Sequence, residues 1–141
     1  MPVPNTQPLA VGSIKTGQVV CTTANAGRDG SGTIGTNLMR LYQAGSQGAV
    51  IPRAKARHQG AAGTASSAMR LVLYRSSSGD TVKTQIDEVL LPAGAGPSNT
   101  VLGAGAIFPI GNYQLGPNES LLVSQTVSES VAYDADQGGD Y

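Results

Sequence analysis

Apolar and polar residues change places in short runs along this chain of 141 residues, and each run is closed by glycine, proline, serine or asparagine. Residues 17–24 are rich in valine and threonine, which suit a pleated, half-buried strand. Gly27, Gly30 and Gly32 then mark a loop, since glycine takes positive φ at no steric cost. Further runs at 36–44, 49–57, 67–75, 81–91, 100–110, 119–127 and 130–134 alternate with loops of the same turn-forming residues. Within 67–75 the alternation puts Met69, Leu71 and Leu73 on one face and Arg70 and Tyr74 on the other. Residues 84–91 also fit a helical face through Ile86, Val89 and Leu90, but a strand is the preferred reading. The pattern predicts an all-β domain of about eight strands, a sandwich or barrel, without a repeat or a heptad.

Residues 1–14 read as an extended N-terminal arm or a frayed terminus, because Pro2, Pro4 and Pro8 interrupt regular hydrogen bonding. Residues 15–141 then form one domain, long enough to bury a core without a disulfide or a metal. Much of the apolar content is alanine and aromatic residues are scarce, so each core position removes little area from water. Modest stability as a monomer is expected, with self-association or docking adding to it.

The net charge is zero, which argues against a free nucleic-acid binder. The single cysteine, Cys21, reads as a small buried hydrophobe. The start of the chain has no basic and apolar leader, and no run approaches a membrane span, so synthesis and folding in a cytoplasm are expected. The sequon at Asn118-Glu119-Ser120 is read as chance in that setting.

Catalytic chemistry finds little to work with. The one histidine, His58, follows Arg53, Lys55 and Arg57, lacks a carboxylate to orient it, and reads as a surface or interface residue. Asp87 and Glu88 are adjacent and point to opposite faces of a strand. Asp134 and Asp136 can share a face but lie in what reads as an acidic tail. The glycine-rich loop at 27–33 lacks the Lys-Ser/Thr of a phosphate cradle. A non-enzyme with no cofactor and no metal is expected.

Charge is segregated. From Arg40 to Arg75 there are six basic residues and no acidic one; from Gln85 to the end there are seven acidic residues and no basic one. Arg53, Lys55 and Arg57 fall at period two, so a strand there lines three cations along one face. Either this is a solvated face or it is a contact stripe for an acidic partner surface.

Several segments resemble small virion proteins of tailed phages. Thr36, Leu38, Leu41, Tyr42, Ala44, Gly45 and Gly48 match a T-x-L…L-Y-x-A-G-x-x-G strand-turn-strand pattern, and residues 51–56 match I-x-R-x-K/R-A. Met69 to Tyr74, Leu115-Gly116-Pro117 through Leu121, and the terminal Gly138-Gly139-Asp140-Tyr141 fit as well. The likeness spans about residues 33–141 and is to the capsid cement, or decoration, proteins, in particular the jelly-roll cement proteins of short-tailed phages. It implies a jelly-roll β-sandwich that sits on the outside of the virion shell. There, as a homodimer or homotrimer, it would clamp the major capsid protein against internal pressure. Pro52 departs from a paired strand and predicts an edge strand or bulge. The expected contact elements are the arm with Pro2, Pro4 and Pro8, the stripe Arg53, Lys55 and Arg57, and the acidic end with Asp134, Asp136 and Asp140. The alternative is a carbohydrate- or receptor-binding jelly roll of a phage tail. Sugar sites use stacking aromatics, and only Phe108 and five tyrosines exist here.

Overall fold

The structure, a computed structural model, describes residues 12–27, 29–60, 63–136 and 138–141. In chain order the strands are β1 (Ser13–Ile14), β2 (Gly17–Cys21), β3 (Met39–Gln43), β4 (Ala49–Ile51), β5 (Arg53–His58) and β6 (Met69–Ser76). They continue with β7 (Lys83–Leu91), β8 (Gly105–Ile107), β9 (Tyr113–Leu115), β10 (Ser120–Gln125), β11 (Val131–Asp136) and β12 (Gly139–Asp140). No helix occurs among the described residues. Residues 84–91, the segment with helical periodicity, lie in strand β7; pairing with β6 along its length overrides the local pattern.

Three four-stranded antiparallel sheets result, in the orders β1-β12-β4-β9, β2-β11-β5-β8 and β3-β10-β6-β7. The first two run on into each other, with β1 leading to β2, β4 to β5, β8 to β9 and β11 to β12. Pro52 stands between β4 and β5. It lies on neither an edge nor a simple bulge, because β4 pairs with both β12 and β9, and β5 with both β11 and β8. The missing N–H falls where the strand leaves one sheet for the next, so no ladder bond is lost within either. Ser13 and Ile14, the last two residues of the expected arm, pair with Asp140 and Gly139. Residues 1–11, with Pro2, Pro4 and Pro8, lie outside the described residues.

Inward side chains from all three sheets meet in one core that includes Ile51, Leu71, Leu73, Leu121 and Tyr133. The sheets approach closely at the β2–β3 corner, where a Cβ on Gly17 would fall 2.0 Å from the Leu41 carbonyl oxygen. A second, smaller cluster lies on the opposite face of the β3-β10-β6-β7 sheet, where Val72, Tyr74 and Leu122 pack under Leu38 and Ile34. Tyr74 is therefore buried, and its hydroxyl donates to the Gly27 carbonyl at 3.3 Å. The glycine-rich loop and the residues after it cover this face, which simple alternation would leave wet.

Asp87 is a buried carboxylate at the core margin. The β6–β7 register shifts after Leu73, which pairs with Asp87 while Tyr74 pairs with Gln85. Asp87 thus shares the inward face with Leu73, and its charge is met by three donors: the Tyr113 hydroxyl at 2.6 Å, the Ile110 N–H at 2.9 Å and the Glu88 N–H at 2.8 Å. Burial, reinforced by this carboxylate, pushes the Tyr113 phenol well above its usual pKa.

Two substitutions test this packing. Gly17→Ala forces a methyl group into the backbone of β3 and should cost about 1–3 kcal/mol, lowering Tm by several degrees. Tyr113→Phe removes one donor from a buried carboxylate and should cost about 1–3 kcal/mol in urea denaturation. Wild-type stability in either variant would contradict the stated contacts.

Candidate interaction surface

Alternation along three strands sets the outer face of the β2-β11-β5-β8 sheet. On β5, Ala54, Ala56 and His58 turn inward and Arg53, Lys55 and Arg57 outward. On β11, Val131, Tyr133 and Ala135 turn inward and Ala132, Asp134 and Asp136 outward. Register then stacks the outward residues in cross-strand rows. Val20, Ala132, Arg57 and Gly105 form one row; Gln18, Asp134, Lys55 and Ile107 form the next; Asp136 and Arg53 form a third.

The basic stripe and the acidic end of the chain therefore meet within one molecule. The Arg53 guanidinium grips Asp136 with two bonds, Nε to Oδ1 at 3.1 Å and Nη2 to Oδ2 at 2.9 Å. Lys55 Nζ lies 3.2 Å from Asp136 and 3.7 Å from Asp134. The Arg53 fork, with Lys55 beside it, holds the Asp136 carboxyl down to a pKa of about 2. Residues 131–136 are a central strand and not a tail, because their alternating Val, Tyr and Ala positions are needed by the core. Asp140 is held elsewhere, on β12. Burial alone would raise its pKa, but the Tyr42 hydroxyl at 2.9 Å, the Gly45 N–H and Lys15 outweigh burial and keep it low.

Arg57 stands apart from this ladder. Its side chain is exposed, and Nη1 donates to the Gly103 carbonyl at 2.9 Å. Around it the sheet forms an open depression of about 750 Å³ floored by Ala106 and Ala132 and bordered by Ile107. A second depression of about 550 Å³, over Val20 and Gln18, shares Ala132 and Asp134 with the first. Ile107 and Val20 are 57% and 44% exposed, large values for aliphatic residues in strands. Sequence reasoning found the three cations and missed this apolar border. Gln18 and Val20 at period two carried a signal for it, whereas Ile107 sits in a run of small residues that gives none.

His58 is buried within the chain's own fold, contrary to its reading as a surface or interface residue, and the period that turns Arg57 outward turns His58 inward. It does face a carboxylate: Glu129 Oε2 lies 3.5 Å from Nε2. Hydrogen bonds from Ser67 hold the Glu129 carboxyl low, with His58 adding a smaller pull. Cys21, Val131 and His58 share one cross-strand row, so Val131 separates the thiol from the imidazole by two strand spacings, about 10 Å. Burial raises the Cys21 pKa. Among the described residues no group of three His, Cys, Asp or Glu is placed to hold a metal.

No family model matches this chain, and neither a curated protein nor a solved structure does.

The ladder has a pH signature. A carboxyl with a depressed folded-state pKa stabilises above its unfolded pKa, near 3.9, and that contribution is lost as pH falls toward the folded value. The stability gap between wild type and Asp136→Asn should be full at pH 5–7 and close between about pH 4 and pH 2. It should also narrow in 1 M salt, because the pair is partly exposed. A gap that stays constant from pH 7 to pH 2 in urea titrations would contradict the ion-pair assignment.

Proposed function

We propose that this chain is a non-enzymatic structural protein of a virion, a jelly-roll cement protein that binds the outside of a tailed-phage capsid shell and stabilises it. The observation that carries this reading is the asymmetry of the two sides of the molecule. The outer face of the β3-β10-β6-β7 sheet is covered by the chain's own loop through Leu38 and Ile34. The outer face of the β2-β11-β5-β8 sheet is left open, broad and shallow, with its charges mostly paired and aliphatic side chains at its margins. Such a face suits a wide protein surface better than a small ligand, which is usually enclosed in a pocket.

The topology supports the jelly-roll reading. If β1 and β2, β4 and β5, β8 and β9, and β11 and β12 are each taken as one bent strand, the chain has eight strands. Their spatial orders are 1-8-3-6 and 2-7-4-5, two interlocked Greek keys. The segments that resemble cement proteins fall on structural positions of this arrangement: 36–48 on β3 and the residues flanking it, 51–56 across the Pro52 bend, and 138–141 at β12. Placed on a shell as a dimer or trimer, each copy adds a weak contact. Repetition over many sites, with several contacts per oligomer, makes the total large.

A sugar-binding tail module gains no support from the aromatics. Tyr42, Tyr74, Phe108, Tyr113 and Tyr133 are buried, and Tyr141 alone is half-buried, so the aromatics present no broad stacking platform.

Co-sedimentation of the purified protein with undecorated phage heads tests the reading. Saturable binding that weakens at high salt is expected. Folded protein that stays in the supernatant at both low and high salt would overturn it.

A further inference from the structure

The outer face of the β2-β11-β5-β8 sheet carries three cations, Arg53, Lys55 and Arg57, against two carboxylates, Asp134 and Asp136, and so has one positive charge in excess. That excess is localised. Arg53 and Lys55 converge on Asp136, and Lys55 also reaches Asp134. Arg57 meets no carboxylate among the described residues, and no position outside them is acidic. Its bond to the Gly103 carbonyl uses Nη1 alone and leaves most of the fork's donors to solvent. A planar guanidinium in this state suits a carboxylate, which it takes with two parallel bonds, as Arg53 takes Asp136 four residues away on the same strand.

The surroundings of Arg57 are apolar and uncrowded. Ala132 and Val20 continue its cross-strand row on one side, and Ile107 lies diagonally on the other. Gly105, directly opposite, has no side chain to lie against the guanidinium; a Cβ there would sit 3.5 Å from Nη2. The result is one uncompensated cation flanked by exposed aliphatic groups on an open sheet face.

We infer that Arg57 anchors a docking site for an extended acidic segment of a partner protein. One carboxylate of that segment pairs with the guanidinium, and aliphatic side chains two residues to either side rest on Val20 with Ala132 and on Ile107. Side chains two residues apart in an extended segment lie roughly 7 Å apart on one face, which matches the diagonal spacing from Arg57 to Ile107 and falls between the one- and two-strand spacings, about 5 and 10 Å, to Ala132 and Val20. The naming of the capsid protein as that partner rests on the function proposed above; the chemistry of the site does not.

The test has two arms. In the first, wild type, Arg57→Glu and Ile107→Thr are titrated onto undecorated heads, with melting curves to verify folding. In the second, the ¹⁵N-labelled protein is titrated with the blocked heptapeptide Thr-Val-Thr-Glu-Thr-Val-Thr and with its Gln-for-Glu twin. Both substitutions lie at exposed positions and should melt like wild type. Arg57→Glu should weaken head binding about tenfold or more, and Ile107→Thr should weaken it with every charge still in place. The Glu peptide should shift amide resonances within 18–20, 55–57, 105–107 and 132–134, and the Gln twin should not. Wild-type head binding by Arg57→Glu, or equal shifts from the two peptides, would overturn the site while leaving the cement reading in place. If wild type itself does not bind heads, the cement reading fails and the peptide arm alone decides the site. A wild-type dimer in sedimentation velocity that Arg57→Glu dissolves would assign the face to a second copy and overturn the inference.

Discussion

Everything in this fold depends on the last segment of the chain entering the middle of two sheets. β11 lies between β2 and β5, and β12 lies between β1 and β4, so among the described residues β2 and β5 are joined in their sheet through β11, and β1 and β4 through β12. The inward residues Val131, Tyr133 and Ala135 supply the burial that drives this insertion. The outward residues Asp134 and Asp136 supply little net stability, because partly exposed ion pairs are worth little. They do distinguish the correct register from its neighbours. A slip of one residue would bury both carboxylates and expose Tyr133, and it would also separate Asp136 from the Arg53 fork. The ion pair between residues 83 positions apart thus acts as a check on a pairing of long sequence separation.

The same insertion creates the open face. With β11 central and β8 a short edge strand, the sheet's outer surface consists of small and paired side chains from which Arg57, Ile107 and Val20 stand out. The opposite sheet took another course. There Val72, Tyr74 and Leu122 were made apolar on the outside as well and lie beneath the segment through Ile34 and Leu38. The loop's glycines and Asn25, which accepts from Gly27 N–H and donates to the Ser31 carbonyl, hold that cover in place. One side of the molecule is closed by its own chain and the other is not, and that difference is the basis of the functional proposal.

Much of this was legible in the sequence, and the exceptions have identifiable causes. The all-β class and the outward stripe on β5 follow from alternation and turn residues, whereas the strand at 83–91 is fixed by its pairing with β6. The same alternation places His58 inside, because it is two positions from the inward Ala56. The Pro52 bend was visible as an anomaly, but that the strand continues into a second sheet is a property of tertiary pairing and leaves no local mark. Asp87 is buried through a register shift that no pattern of residues announces, and its three donors come from Glu88, Ile110 and Tyr113, the last two more than 20 positions away. The segregation of charge leaves two readings of the stripe Arg53, Lys55 and Arg57, a solvated face or a contact for an acidic partner surface. The structure instead joins Arg53 and Lys55 to Asp134 and Asp136 within the chain, and among the described residues Arg57 is left as the cation on that face without a carboxylate.

The central claim is that the uncovered β2-β11-β5-β8 face is the one this protein turns toward its partner. A difference map from electron cryomicroscopy of phage heads with and without the protein tests it most directly. The account predicts added density outside the shell, into which the molecule fits with β5 and β11 against the capsid and the loop-covered sheet toward solvent. Density that fits only with the loop-covered sheet against the capsid, or no added density at saturating protein, would contradict it.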